Sequence, residues 1–468
     1  MMHLFKKEKV TLKDDLFFNR LRKKQYSNLD EQKQTYLDYT GANLYSKFQI
    51  HQHQKMLENT IFGNPHSMNP TSQKSTYLIE EARVKVLIFF NARGYTCVFT
   101  QNASAALKIV GESYPFDESS TFLLSSDNHN SVNGIREYCN NKKGKTIYAP
   151  LNYEDLQLNE DFLISQFEKA PKGNHNLFAF PAQSNASGIK HSLKWIAHAQ
   201  KKGFDVLLDA TAFTPTNKLD LSAVKPDFVT ISFYKIFGYP TGIGCLLIKN
   251  ETFNKLKKNW FAGGTVTIST IATQDKFLSH GYRRFEDGTL NYASIPAIQI
   301  GIDYIQSIGL ERISNRVSSL IHYLRCELEK LTHENGTPIV KLYGSKYPEC
   351  QGGNLLMNFF DRDGKIYPYE KIEQMASKQN ISVCSGYFCN PGIDETNHGI
   401  SAEELTRYFR SRTDGDYQSM IRFLGKTRGA TRVSVGLATV KKDLDKFVSF
   451  VTDLKDSKLV EWTLAVVK

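Results

Sequence analysis

Long apolar runs are missing from this 468-residue chain. No stretch of about 18 apolar residues is available to cross a bilayer. The opening MMHLFKKEKVTLKDDLFF carries charges where a secretory leader would have an unbroken apolar core and a small-residue cleavage site. No membrane association is expected, and the expected setting is cytoplasmic. Cysteine is sparse as well. Seven cysteines make no disulfide framework, and the odd count suits a reducing compartment. Cys384 and Cys389 are the only close pair. With no second pair to complete a zinc site, no metal is expected.

A net charge of +11 favours acidic partners or anionic ligands, yet the lysines lie scattered in FKKEK, LRKKQ, NNKKGK and KLKKN. No basic stripe interleaved with aromatics emerges, so no nucleic-acid partner is expected. Internal repeats and low-complexity linkers are absent too. What is present is the mixture of a soluble globular protein, 41% hydrophobic, 12% aromatic and 23% charged. Its length suggests two domains within one compact subunit.

Residues 74–305 alternate helical patterns with short apolar strands: YTCVFT, STFLLSS, NLFAFPA, DVLLDA, DFVTISF and GCLLIK. Such alternation implies crossover connections and a mainly parallel sheet covered on both faces, the large α/β domain. Ligands on such sheets bind beyond the carboxyl ends of the strands. Residues 306–468 change character. ERISNRVSSLIHYLRCELEKL puts Ile313, Val317, Leu320, Leu324, Leu328 and Leu331 on one helical stripe. TRVSVGL reads as a strand, and KDLDKFVSFVTDL as a helix with Leu444, Phe447, Val448 and Val451 inward. This is a smaller α+β domain, against which residues 1–73 are expected to pack as an N-terminal segment.

Three strand ends carry polar residues suited to one ligand. CVFTQNASAALKIV runs from strand through a small polar turn into a helix, placing Ala103 and Ser104 at a helix start. Amides there bind phosphate, though Ser and Asn also simply cap helices. DVLLDAT closes an apolar strand with Asp209, which must reach solvent or meet a cation such as a protonated ring nitrogen. Its plain alternative is a helix cap or a loop carboxylate. SFYKIFGYPTGIG then places Lys235 after the next strand, followed by Gly238, Gly242 and Gly244, which give a flat ligand room. A lysine amine, partly buried beside a cofactor aldehyde, becomes an imine. Asp for a pyridinium, Lys for a Schiff base and a helix start for a phosphate together make the parts of a pyridoxal 5'-phosphate (PLP) site.

At this point the chain resembles the class V aminotransferase-fold PLP enzymes of the cysteine desulfurase branch. It is most similar to the N-terminal, desulfurase-like domain of molybdenum cofactor sulfurases. The segments that carry the likeness run in order: YLDYTGANLYS, GNPHS, CVFTQNASAALKIV, DNHNSVNGIRE, NLFAFPAQSNASG, LLDATAFTPTNKLDLS, KPDFVTISFYKIFGYPTGIG, RRFEDGTLNY and GYFCNPG. The resemblance implies fold type I of the PLP-dependent transferases, with a sheet of the seven-stranded type in the large domain. It implies that Lys235 holds PLP, that Asp209 pairs with the ring nitrogen, and that His129 stacks on the ring. Asn185 would bond the ring hydroxyl, and Ala103, Ser104 and Ser232 would hold the phosphate. Thr289 would reach the phosphate of a neighbouring subunit, which implies a homodimer. Cys389 would accept sulfur from L-cysteine as a persulfide while alanine leaves, and Arg432 would grip the substrate carboxylate. A sulfur-acceptor protein is a possible partner. Cys97, Cys245 and Cys326 lie in apolar patterns and are expected in the core.

The likeness has gaps. Where the sulfurase-like motif has an arginine and a first cysteine, this chain has Cys384 and Tyr387. Ala212 stands where many desulfurases have a glutamine. The chain ends before the C-terminal MOSC domain of full sulfurases, so transfer to molybdenum cofactor is not expected. Two readings stand beside desulfuration: a class V lyase, aminotransferase or epimerase acting on another amino acid, and a non-catalytic PLP-fold scaffold.

Overall fold

A computed structural model of the chain describes residues 15–171, 173 and 175–459. Residues 1–14, with most of the opening stretch read above for a leader, and residues 460–468 lie outside the described residues. The central sheet has seven strands: β2 (Tyr95–Thr100), β3 (Thr121–Ser125), β4 (Lys145–Ala149), β5 (Asn176–Pro181), β6 (Phe204–Asp209), β7 (Phe228–Ser232) and β8 (Gly244–Lys249). Their spatial order is β2-β8-β7-β6-β5-β3-β4. β3 to β7 pair in parallel, while β8 is antiparallel to both of its neighbours. Six strands therefore run one way, and their carboxyl ends share one edge. A short β1 (Thr35–Tyr36) precedes the sheet in the chain.

The apolar runs make buried strands because both faces are covered. Side chains alternate between two cores. Leu124, Leu177, Leu207 and Leu246 pack with Ala106, Leu107 and Val110 of the helix Ala103–Ser113. Leu123, Phe178, Val206, Leu208, Val229 and Leu247 face the other way.

An exposed hairpin, β9 (Val266–Ser269) with β10 (Lys276–Leu278), follows the large sheet. The second sheet is antiparallel, in the order β11 (Val340–Tyr343), β12 (Asn354–Phe359), β15 (Ala430–Ser434), β14 (Cys384–Gly386). β1 pairs in parallel with β13 (Ile381–Ser382), and Asp38 bridges to Ser434. The N-terminal segment does not stay on this sheet. Asn43 and Gln49 donate to the carbonyls of Ile236 and Phe237 beside Lys235. The segment thus touches both sheets.

The helix Leu310–Leu328 buries Ile313, Val317, Leu320, Leu324 and Leu328, whereas Leu331 lies beyond its end and is only half-buried. The helix Lys441–Thr452 buries Leu444, Phe447 and Val451, but Phe450 takes the inward place expected of the half-buried Val448. Cys97 and Cys245 are in the core, but Cys326 is half-buried, its sulfur 3.7 Å from His322 Nε2. A cysteine at the edge of a helix stripe packs on one side only.

Arg22 ties the chain's two described ends together. Its Nη1 lies 2.6 Å from Asp443 Oδ2, with only 4% and 3% of the two side chains exposed. The same Oδ2 accepts the Val440 amide at the start of the last helix. Removing one partner of a buried pair leaves a charge without compensation, so Arg22→Met should lower stability by about 3–5 kcal/mol. The double change R22M/D443L should recover most of that loss in urea unfolding. Equal losses in the single and double variants would contradict the assignment.

Candidate active site

The carboxyl edge of the large sheet brings the expected residues to one cavity. The loop after β2 supplies Ala103 and Ser104, and the turn after β3 supplies His129. Asp209 closes β6, and Ser232 closes β7. Asn185, Thr211, Lys235 and Gly242 also line it. Thr289 is not there: it lies exposed between Gly288 and Leu290, which line a separate groove.

Each residue is held by its local backbone. Asn102 caps the helix Ala103–Ser113 by accepting from the Ala105 amide. The Ala103 amide donates to Ser232 Oγ at 2.9 Å, joining two expected phosphate contacts from strands far apart in sequence. Ser104 Oγ and Ser131 Oγ lie 2.6 Å apart. Asp209 Oδ1 accepts from the Thr211 amide at 3.0 Å and from Thr230 Oγ1 at 3.3 Å. His129 Nδ1 accepts from the Ser131 amide at 3.1 Å, which leaves Nε2 as the N–H of the neutral ring. Burial holds the His129 pKa below its usual value; Asp209 opposes this and Lys235 adds to it.

Lys235 sits on the short helix Phe233–Phe237 directly after β7. No hydrogen bond or ion pair ties its amine to a protein group among the described residues. Burial lowers its pKa, and the positive charge of Arg432 lowers it further, against Asp209, Asp38 and Cys389. The neutral, nucleophilic amine is correspondingly favoured. The three glycines play different parts. Gly242 lines the cavity, with φ +70° and open space where a Cβ would stand. At Gly238 a Cβ would lie 2.4 Å from the Leu44 and Tyr45 backbone, so that glycine admits the N-terminal segment, not a ligand. Gly244 likewise makes room for Asn102.

The second sheet meets this cavity through Asn185. Arg432, on β15, is 4% exposed and lies 2.8 Å from Asp38 Oδ1 through Nη2. Its Nη1 donates to the Asn185 carbonyl at 2.7 Å, and its Nε has no hydrogen-bond partner among the described residues. The Phe388 ring lies 4.9 Å from the guanidinium carbon. Cys389, the next residue, is exposed, and both residues have positive φ, +56° and +51°. Their loop is tied to the cofactor side. The Asn185 side-chain amide donates to the Phe388 carbonyl at 2.8 Å, and the Asn130 amide to the Cys389 carbonyl at 2.7 Å. Asn185, expected at a ring hydroxyl, therefore lines the cavity while its side-chain nitrogen holds the thiol loop.

Sequence reasoning missed several residues. Asp38 neutralises Arg432 across 394 positions of sequence. Gln183 lines the cavity near Ala212. Asp127 and His191 form a fully buried pair at 2.7 Å, and the Asp127 carbonyl accepts from Asn390 of the thiol loop. The quoted segments contain Asp38, Asp127 and Gln183, but no spacing marks their partners.

The donor set fits a phosphorylated pyridine aldehyde. Amide and hydroxyl donors, a carboxylate and a lysine amine all line the one cavity. The groups that hold PLP would be Lys235, Asp209, His129, Ser104, Ser232 and the Ala103 amide. No cluster of three His, Cys, Asp or Glu side chains among the described residues is arranged to hold a metal ion.

Comparisons with known proteins agree with the fold and extend it. The model of the family "Aminotransferase class-V" matches residues 35–447. Molybdenum cofactor sulfurase of Solanum lycopersicum is 38% identical over 452 residues, covering 89% of this chain and 55% of that protein. The chain thus spans about half the length of such curated relatives. The solved apo cysteine desulfurase of Thermococcus onnurineus superimposes with a TM-score of 0.77 at 22% identity, covering 93% of this chain and 97% of its own. A solved C-DES variant with glycine covalently linked to PLP has a TM-score of 0.69 at 17% identity, over 92% and 99%.

The charges around Lys235 make its titration a direct check of the geometry. In cofactor-free protein, Arg432→Gln removes a cation and should move the pH midpoint of Lys235 acylation upward. Asp38→Asn removes an anion and should move it downward. Shifts of the same sign would contradict the arrangement.

Proposed function

The chain belongs to the aminotransferase class-V family, and within it we propose a PLP-dependent desulfurase that takes sulfur from L-cysteine. One observation carries this reading. The exposed thiol of Cys389 stands on a loop that Asn185 and Asn130 fasten to the cavity of Lys235. When bound, PLP supplies an electron sink that weakens bonds at the α-carbon of an amino acid.

The chain's own groups supply the rest. Lys235, its pKa lowered by burial, would hold the cofactor through its amine and would move protons at the α-carbon. Asp209 would favour a positive charge on the ring nitrogen, and neutral His129 would lie beside the ring without adding a charge. Arg432 presents Nε toward a substrate carboxylate. The Cys389 thiolate attacks the substrate sulfur, its S–S bond forming as the carbon–sulfur bond breaks. The electron pair left on carbon is protonated. The balance is L-cysteine plus Cys389 thiol giving L-alanine plus Cys389 persulfide. Exposure leaves that persulfide open to an acceptor protein, and free thiols suit a cytoplasmic setting.

A second reading has a specific observation behind it. Arg432 is already paired with Asp38, and Cys384 stands where a second cation is expected. The carboxylate-binding charge is therefore weaker than the desulfurase pattern implies, which favours a lyase, aminotransferase or epimerase on another amino acid. Incubation with L-cysteine decides. Alanine is expected, with a persulfide on Cys389 at early times, and both should be lost in Cys389→Ala. Undiminished turnover in that variant would favour the second reading.

The working unit is a homodimer. Thr289 is remote from its own cavity, and it borders a groove lined by Met68, Tyr77, Val266 and Leu290. Met68 in that groove is 83% exposed, and on the hairpin that carries Val266 the paired Ile268 and Phe277 are 54% and 72% exposed. Apolar side chains this exposed suit a self-complementary contact. Sedimentation should give a dimer, and Ile268→Asp with Phe277→Asp should give monomers that bind PLP more weakly. A monomeric wild type with full PLP affinity would contradict this.

A further inference from the structure

Cys384 interrupts the arginine expected at its position, and the structure puts that thiol on the active-site face of the second sheet. β14 pairs with β15 so that Cys384 is directly opposite Arg432 and Ser385 opposite Thr431. The two hydroxyls of the latter pair lie 3.2 Å apart, so their side chains share one face. Successive residues of a strand alternate faces, and Cys384 shares the other face with Arg432. That face holds Asp38 and Asn185.

The chain then reverses. Gly386 has φ +118°, Phe388 and Cys389 are left-handed, and the Asn390 amide donates to the Tyr387 carbonyl at 2.8 Å. The turn brings Phe388 under the same guanidinium that Cys384 faces. Cys384 and Cys389 are thus five residues apart with a reversal between them, and the neighbour of Cys389 touches the guanidinium that Cys384 faces. A disulfide needs Cα atoms within about 7 Å, which such a hairpin-like loop can supply. Burial raises the Cys384 pKa; Arg432 lowers it, and the nearby charge of Cys389 raises it again.

We propose that Cys384 is a resolving thiol that discharges the Cys389 persulfide when no acceptor collects it. The proposal rests on the desulfurase reading. The Cys384 thiolate attacks Cys389 Sγ, a Cys384–Cys389 bond forms, and the terminal sulfur leaves with its electron pair as hydrosulfide. Two thiol sulfurs are oxidised and the persulfide sulfur is reduced, so no outside oxidant is needed. A dithiol reductant then reopens the disulfide. A half-buried thiol held mostly protonated makes this the slower exit, leaving the exposed persulfide available to a partner first.

Anaerobic turnover of PLP-loaded protein with L-cysteine, followed by acid quench and peptide mass spectrometry, tests this. Both cysteines fall on the tryptic peptide 379–407. Wild type should show that peptide lighter by two hydrogens, with sulfide released in equal amount. Without L-cysteine the mass should be unchanged. Cys384→Ser should form alanine once per chain, retain the extra sulfur on Cys389 and release little sulfide. Wild type that keeps the extra sulfur and never loses two hydrogens overturns the resolving role and leaves desulfuration standing. Absence of alanine and of any extra sulfur in both proteins overturns both readings.

Discussion

The buried guanidinium of Arg432 is the point on which the site depends. A charge so enclosed is stable only when compensated. Its compensation comes from three separate parts of the chain: the Asp38 carboxylate of the N-terminal segment, the Asn185 carbonyl beyond β5, and the Phe388 ring of the thiol loop. Meeting these demands fixes the second sheet against the first, and the N-terminal segment against both. It also places one positive charge where it acts on Lys235 and Cys384.

The cofactor end is organised by a different constraint. Parallel strands deliver their carboxyl ends to one edge, and each loop there is closed locally: Asn102 by a cap, Asp209 by the Thr211 amide, His129 by the Ser131 amide. The groups are therefore oriented before any ligand arrives, which lowers the cost of binding and of charge development. The thiol loop is then fastened to this rigid edge from the other sheet. Chemistry needing both a cofactor and a thiol is thus served by two sheets meeting at one cleft.

Much of this was legible because its signals are local. Lys235, Asp209 and Ala103 each follow an apolar strand, and a polar group at such an end has few places to go. Six of the seven strands followed from the same alternation, whereas β4, with three half-buried positions and a charged start, was not read and the seven-stranded type came from the resemblance. Asp38 could not be found that way, since an aspartate in YLDYTG has no pattern that names Arg432 as its partner. The Asp127–His191 pair is hidden for the same reason. Gly238 was misread because a glycine after a lysine suits ligand and backbone alike, and only the packed Leu44–Tyr45 segment decides. Cys326 shows the limit of helical periodicity, which marks a stripe but not how far burial extends around it. Thr289 lies away from the cavity of its own chain, and its expected role needs a second copy.

The most direct measurement is chemical. Borohydride reduction of the PLP-loaded protein, followed by peptide mapping, should place a single phosphopyridoxyl group on Lys235 and none in Lys235→Ala. Label on another lysine with Lys235 unmodified, or no label after incubation with PLP, would contradict the account.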